Sequence, residues 1–279
     1  MTQSLTQILP RALLTAVVIS GVACTTQTKD YTEVTMQASA FEGGAGLNLQ
    51  SLNSTKAILE NRLADLDIEP SEVEIIEPNK ILVRLPQTAD AAATQALLTS
   101  TGQLYLRQQK ADTKADLTKG IEELQRLLVA QNTLLQTNQQ AEAEALQPQI
   151  DRTRALIGDL FEPSQLNSEM LASEMPVEAK AVAGADSHTW DVKIWLNAQG
   201  ADILADKTKA LAGTDRAIGI FLDEVLLSAP LVDAAFAKTG ITGGEALIAG
   251  SFTREAANIL AVQLSNGALP VRLEKVESN

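Results

Sequence analysis

From Tyr31 the chain alternates. Val34, Met36 and Ala38 are separated by Glu33, Thr35 and Gln37, and a period of two predicts a strand with one face on a core. Glycines at 43, 44 and 46 follow in a loop, and no Gly-Lys-Ser/Thr follows them, so a phosphate cradle is disfavoured. Asn53 or Ser54 is placed to cap a helix that runs to about Leu66, with Ile58, Leu59, Arg62, Leu63 and Leu66 along one face. Val73 and Ile75 alternate with acids, Pro78-Asn79 turns the chain, and Ile81, Val83 and Leu85 alternate again, which predicts a hairpin. Thr88 caps a second helix with Asp90 in its first turn, where the helix dipole favours an acid. Gly102 ends that helix, and Leu104 and Leu106 open another strand.

This order, β-α-β-β-α-β, predicts a ferredoxin-like antiparallel sheet with helices on one face. The second half repeats the scheme. Val192, Ile194 and Leu196 form a strand, and Asn197 caps a helix carrying Leu204, Thr208 and Leu211, stopped by Gly213. Residues 216–222 and 225–229 form a hairpin through Asp223-Glu224, Thr253 caps a last helix, and 269–276 is a last strand. One match is literal. Thr88-Ala-Asp-Ala-Ala, Gly102, Leu104 and Arg107 recur as Thr253-Arg-Glu-Ala-Ala, Gly267, Leu269 and Arg272, all at an offset of 165. Arg107 and Arg272 are thereby expected at equivalent strand positions. Between the halves, about 110–161 is rich in Gln, Glu, Ala and Leu. Ile121, Leu124, Leu128 and Leu135 keep helical spacing, Gln147-Pro148 breaks the run, and Ile150, Leu156, Ile157 and Leu160 continue it. This predicts a helical hairpin projecting from the body; 162–186 reads as a loop. The fold class expected is therefore α+β, with two related halves and a helical insertion.

The first 30 residues follow another pattern. Arg11 precedes a 12-residue apolar run, residues 12–23, and the only cysteine, Cys24, follows directly. The run is shorter than the about 20 residues a membrane span needs and fits the apolar core of an export signal. Gly21-Val-Ala-Cys24 resembles a lipobox, although such motifs usually carry Leu where Gly21 stands. Residues 1–23 then read as a signal peptide, Cys24 as an acylated N-terminus on a membrane, and 24–30 as a tether. Twenty-two basic residues against 35 acidic give a net charge of −13, which argues against nucleic acid as a partner. One cysteine and one histidine, His188, exclude disulfide frameworks and Cys/His zinc sites. No Ser-His-Asp or Cys-His arrangement surrounds His188. The Asp223/Glu224 pair could do acid–base work, but reads more simply as a turn. No cofactor is implied and no enzyme is expected.

Several stretches resemble a known family. Ala57-Ile-Leu-Glu-Asn-Arg-Leu-Ala-Asp-Leu66, Lys80-Ile-Leu-Val-Arg-Leu-Pro86, Leu196-Asn-Ala-Gln-Gly-Ala201, residues 220–230 ending Ser228-Ala-Pro230, Gly250-Ser-Phe-Thr-Arg-Glu-Ala256 and Gly267-Ala-Leu-Pro270 resemble the large extracytoplasmic domain of SecD. SecD is the accessory membrane subunit of the bacterial Sec translocase. The order and spacing agree over about 31–277, and Asn61-Arg62 matches an asparagine–arginine pair of the family. The family's Asp-Leu-Arg/Gln-Gly-Gly loop is at best a remnant in Gly46-Leu-Asn-Leu-Gln50. The family's membrane helices, with the carboxylate and arginine that couple a proton gradient to motion, have no counterpart. This chain alone is therefore not expected to run such a cycle.

The resemblance implies a base, 31–108 plus 265–277, and a head, 109–264, that holds emerging polypeptide and swings. Leu106, Gln108, Leu264 and Ser265 become hinge candidates, and Phe221, Leu226, Leu227 and Phe236 candidates for peptide contact. The implied partners are exported preproteins or unfolded polypeptide and Sec translocase subunits, on the periplasmic or equivalent side of a bacterial membrane. The competing reading is a structural or regulatory envelope lipoprotein that kept the fold without preprotein binding.

Overall fold

The computed structural model describes residues 31–41, 46–87, 89, 91–175, 177–181 and 189–276. The expected cap Thr88 and the first-turn acid Asp90 lie outside this set, as do Cys24 and His188. The elements are β1 (Tyr31–Ser39), α1 (Leu49–Asp65), β2 (Glu72–Glu77), β3 (Lys80–Pro86), α2 (Ala91–Thr99), β4 (Leu104–Gln108), α3 (Lys114–Gln136), α4 (Gln140–Ala145) and α5 (Gln147–Gly158). They continue as β5 (Leu166–Asn167), β6 (Glu178–Ala181), β7 (Trp190–Trp195), α6 (Ala198–Leu211), β8 (Ile218–Leu222), β9 (Val225–Ser228), β10 (Glu245–Phe252), α7 (Arg254–Ser265) and β11 (Arg272–Lys275). The chain is thus α+β, with its paired strands antiparallel.

The first sheet has the order β11-β1-β3-β2. Its alternation is as expected: Met36, Val73, Ile81, Val83 and Leu273 are buried with Leu59, Leu63, Leu97 and Leu98 of α1 and α2. The start of α1 differs from expectation. Asn48, not Asn53 or Ser54, is the cap: its Oδ1 accepts from Ser51 N at 2.9 Å, while Asn48 N donates to Ser51 Oγ at 3.1 Å. Two orphan donors are satisfied reciprocally there, a capping box that draws the helix start upstream.

The strand expected to close this sheet does not. β4 lies in a second sheet, ordered β5-β4-β8-β9, and β11 takes the place beside β1. Leu104 and Leu106 are buried in a second core with Leu204, Leu211, Ile218, Ile220, Leu260 and Leu264. The two segments that match at an offset of 165 have therefore exchanged strands. α2 packs on the first core and leads into the second sheet; α7 packs in the second core and leads back to the first. α7 also turns Ile259 and Val262 toward the first core, so it lies between the two.

A third sheet, β10-β7-β6, completes the second core. β5 and β6 correct the expected loop at 162–186: they are short and weakly patterned, and pairing with β4 and β7 makes them strands. The insertion is helical as expected. Pro148 stands in the first turn of α5, where its missing N–H costs nothing. Leu117, Ile157, Phe161, Ala217 and Phe221 form a third cluster that anchors α3 and α5 to the second sheet. Among the described residues no helix is long and apolar enough to cross a membrane.

Candidate functional site

The two crossings between the sheets run side by side. Each turns on a glycine in the left-handed region, Gly102 at φ +77° and Gly267 at φ +78°. Leu269 N donates to Thr101 O at 2.7 Å and joins them. Arg62 of α1 staples both. Its Nη1 donates to Leu97 O at 3.3 Å and Ser100 O at 2.8 Å, and its Nη2 to Thr101 O at 3.0 Å and Gly267 O at 2.9 Å. A planar fork of donors is what four carbonyls spread over two segments require, and lysine's compact ammonium does not offer it. Arg62 is fully buried, and its Nε has no hydrogen-bond partner. Burial lowers its pKa to about 10, against an opposing pull from the Asp223 charge, so it stays cationic near neutral pH. A Cβ on Gly102 would stand 2.5 Å from Nη2, so this glycine is required by space as well as by backbone.

Asp223 holds the first crossing from the other side. It opens the β8–β9 turn, where Asp223 (φ +49°) and Glu224 (φ +69°) both take left-handed backbone, as a two-residue hairpin of matching twist requires. Its carboxylate accepts from Ser100 Oγ at 2.6 Å, Gln103 N at 2.9 Å, Gly102 N at 3.3 Å and Thr101 Oγ1. Its own N donates to Gln103 O at 2.9 Å. The carboxylate considered for acid–base work is thus occupied as a cap. Glu224 accepts from Arg107 Nη2 at 2.6 Å, and the Arg107 guanidinium lies over the rings of Phe221 (4.7 Å) and Tyr105 (5.1 Å). Burial, and then the Glu224 charge, push the Tyr105 hydroxyl's pKa up. Arg272, its counterpart in the repeat, is exposed and lies 5.8 Å from the Phe41 ring centroid, so the two arginines share a position in sequence and not an environment.

The structure distributes the residues named from sequence unevenly. Leu106 and Gln108 lie within β4, past the crossing at 100–103, and Leu106 is buried. Leu264 is buried in the last turn of α7 and Ser265 is its exposed end; the second crossing occupies 266–269. Phe221 is completely buried, edge-on to Phe161 at 5.0 Å, and offers no surface to a peptide: a strand residue between the sheet and α5 has to fill the core. Leu226 packs on that same cluster. Phe236 is 38% exposed on a short helical turn, Ala234–Ala237.

Leu227 is different. With Leu222, Val225, Phe252, Ile259 and Leu260 it lines an open apolar groove of about 570 Å³ between the β8–β9 hairpin and α7. Asp223, Ser100, Gln263 and Arg154 supply its polar margin. A more polar cleft of about 860 Å³ lies where α5 meets the hairpin, lined by Arg107, Arg154, Phe161 and Glu224 among others. Among the described residues no group of three or more His, Cys, Asp or Glu is placed to hold a metal ion. The crossings and the groove therefore share Ser100 and Asp223. Sequence reasoning placed Arg62 on the apolar face of the first helix and in a family motif, but not at the crossings. The recurring Gly102 and Gly267 were the available signal for the crossings.

This arrangement has known relatives. Residues 159–271 match the family model for the P1 head subdomain of SecDF. The protein translocase subunit SecD of Synechocystis sp. is 34% identical over 233 residues, covering 82% of this chain and 48% of the relative. SecD of Prochlorococcus marinus is 27% identical over 277 residues, covering 88% of this chain and 54% of the relative. The chain thus spans about half the length of these SecD proteins. A solved SecDF structure, described as a membrane component that enhances protein export, superposes with a TM-score of 0.58 at 22% identity, covering 89% of this chain and 99% of that one. SecDF in a super-membrane-facing form gives 0.60 at 20%, over 89% and 30%. The fold is shared with both, and with the sequence matches it makes this chain a protein like the periplasmic domain of SecD, with residues 159–271 matching the P1 head subdomain of SecDF.

Proposed function

We propose that this chain is a non-enzymatic, extracytoplasmic SecD-like protein that assists protein translocation by holding emerging or unfolded polypeptide close to the Sec translocase. The observation that carries the reading is the apolar groove bounded by Leu227, Phe252, Ile259 and Leu260 beside the crossings. Apolar contact is non-directional and suits many sequences, which a holder of diverse exported chains needs. Holding of this kind requires no nucleotide and changes little with salt. In this reading the first sheet with α1, α2 and β11 is the base, the remainder is the head, and the paired crossings are the pivot between them. A photo-crosslinking residue placed at Leu227 should capture an exported precursor arrested in translocation across membrane vesicles, and one placed at exposed Val129 of α3 should not. Equal capture from both positions, or none from the groove, would refute it.

We also propose that Cys24 is acylated and keeps the protein at a membrane, on the strength of its position after the apolar run of residues 12–23. Acyl chains bury about 0.8 kcal/mol per CH₂, so two or more give a stable anchor. Cys24→Ser should move the protein to the soluble fraction or leave an uncut precursor. A mature chain that starts elsewhere and carries no lipid would end this proposal.

A further inference from the structure

The helical arm carries a face that the fold leaves uncovered. α3 turns one side to α4 and α5. Leu127 is buried there, Gln131 Nε2 donates to Ala143 O at 3.2 Å and to Gln147 Oε1 at 3.1 Å, and a Cβ on Gly120 would stand 2.9 Å from the Ile157 side chain. Beside that side runs a row with a spacing of seven: Ile121, Leu128 and Leu135. Ile121 packs on the cluster that anchors the arm, whereas Leu128 (37%) and Leu135 (44%) are exposed. Asn132 follows Leu128 by four and precedes Leu135 by three, so it lies between them on the same face, and it too is exposed. The surroundings carry no charge. Residues 127–141 hold no Asp, Glu, Lys or Arg, in a chain of net charge −13. The other uncharged runs of that length among the described residues, 91–106 and 256–271, contain α2 and α7 and belong to the cores. This one lies on an exposed helix.

Charge and symmetry select the occupant. A charged partner finds nothing here to pair with. A lipid surface calls for a broad apolar face flanked by basic residues, and this stretch has no basic residue. The face does complement itself. About a two-fold axis between positions 131 and 132, antiparallel helices set Leu128 of each copy on the partner's Leu135, since both leucines lie about 5 Å from the axis along the helix. Asn132 then meets its own image beside the axis. A side-chain amide is donor and acceptor at once and can pair with its image, where a carboxylate or an ammonium would meet its like. Self-association of so acidic a chain requires a meeting face free of charge, and this face is one. We propose that the distal half of α3 joins two copies of this chain as an antiparallel helix pair, leucine on leucine, with the Asn132 amides paired across the axis. The contact is separate from the groove, and α3 and α4 precede residue 159, where the match to the head subdomain begins. Two partly exposed leucines per copy make a weak, reversible pair, with a dissociation constant on the order of 100 μM.

Sedimentation velocity of the full chain in a neutral detergent, over about 5–500 μM, reads the association. The expected result is a monomer passing to a dimer and to nothing larger, because a contact made by the same patch on both copies closes on itself. Leu128→Glu combined with Leu135→Glu should weaken pairing at least about tenfold. Val129→Glu, on an exposed residue about 100° further round the helix, should leave it unchanged. Asn132→Asp and Asn132→Lys should each weaken pairing about tenfold with the circular dichroism spectrum unchanged, and an equimolar mixture of the two should restore it, since unlike charges then meet at the axis. A chain that stays monomeric throughout overturns the proposal, as does an equal loss from Val129→Glu or a mixture that fails to recover. Capture of an arrested precursor by a monomeric chain carrying a photo-crosslinking residue at position 128 would assign the face to client polypeptide and overturn self-pairing.

Discussion

Arg62→Met should lower the free energy of unfolding by about 3–5 kcal/mol, because it strips a charged donor from buried backbone carbonyls. Two opposing effects set that size. The substitution relieves the desolvation cost of a buried guanidinium; the fall in pKa from 12.5 to about 10 puts this on the order of 3 kcal/mol. It also withdraws donors from the carbonyls of Leu97, Ser100, Thr101 and Gly267, at about 1.5–3 kcal/mol for each bond to a charged group. The four losses outweigh the one gain. Thr101 O keeps the N–H of Leu269, so the damage concentrates on the other three. Arg62→Lys keeps the charge but cannot span both crossings, and should be nearly as damaging. Urea unfolding followed by circular dichroism reads both, and a loss below about 1 kcal/mol for Arg62→Met would show that the fork does not hold the crossings together.

Gly102→Ala and Gly267→Ala separate backbone from space at two positions that correspond in the repeat. Both residues have the same φ, so both substitutions carry the left-handed cost of about 1–2 kcal/mol. At Gly267 nothing lies within 4 Å of an added Cβ, and the cost ends there. At Gly102 the methyl would meet Arg62 Nη2 at 2.5 Å and Gln263 O at 3.3 Å, so the fork has to leave its carbonyls. The expected loss is about 3 kcal/mol or more, since hydrogen bonds to the buried charge go with it. In an Arg62→Met background the flexible thioether can move aside, and Gly102→Ala should fall toward the Gly267→Ala value. The double-mutant cycle then gives a coupling of about 1–2 kcal/mol. Equal costs at the two glycines in the parent chain would contradict the contact.

Such coupling bears on the proposed pivot. The crossings sit between Arg62 of α1 and Asp223 of the β8–β9 turn, and the groove shares Asp223 and Ser100 with them. A segment held in that groove, as proposed above, would lie beside the crossing.

The alternation of Val34, Met36, Ala38, Ile81 and Val83, the spacing of Leu204, Thr208 and Leu211, and the caps Asn197 and Thr253 were legible because each is a local property. Period, propensity and capping are written within a few residues, and the α+β class followed from their order. The relation between 88–107 and 253–272 was equally visible as a repeat. Its consequence was not. A strand's alternation states that one face is buried, but not against which sheet, so β4 and β11 could not be told apart until their partners were in place. The start of α1 depended on a reciprocal pair of hydrogen bonds, and β6 became a strand only through β7. Phe221, Leu226 and Leu227 are three apolar residues of one hairpin, alike in sequence. Sequence determined that they would be strand residues. Only tertiary packing decided that the first is sealed under Phe161, the second turned to α5 and the third left open to a groove, because burial depends on which helices the rest of the chain lays across each face.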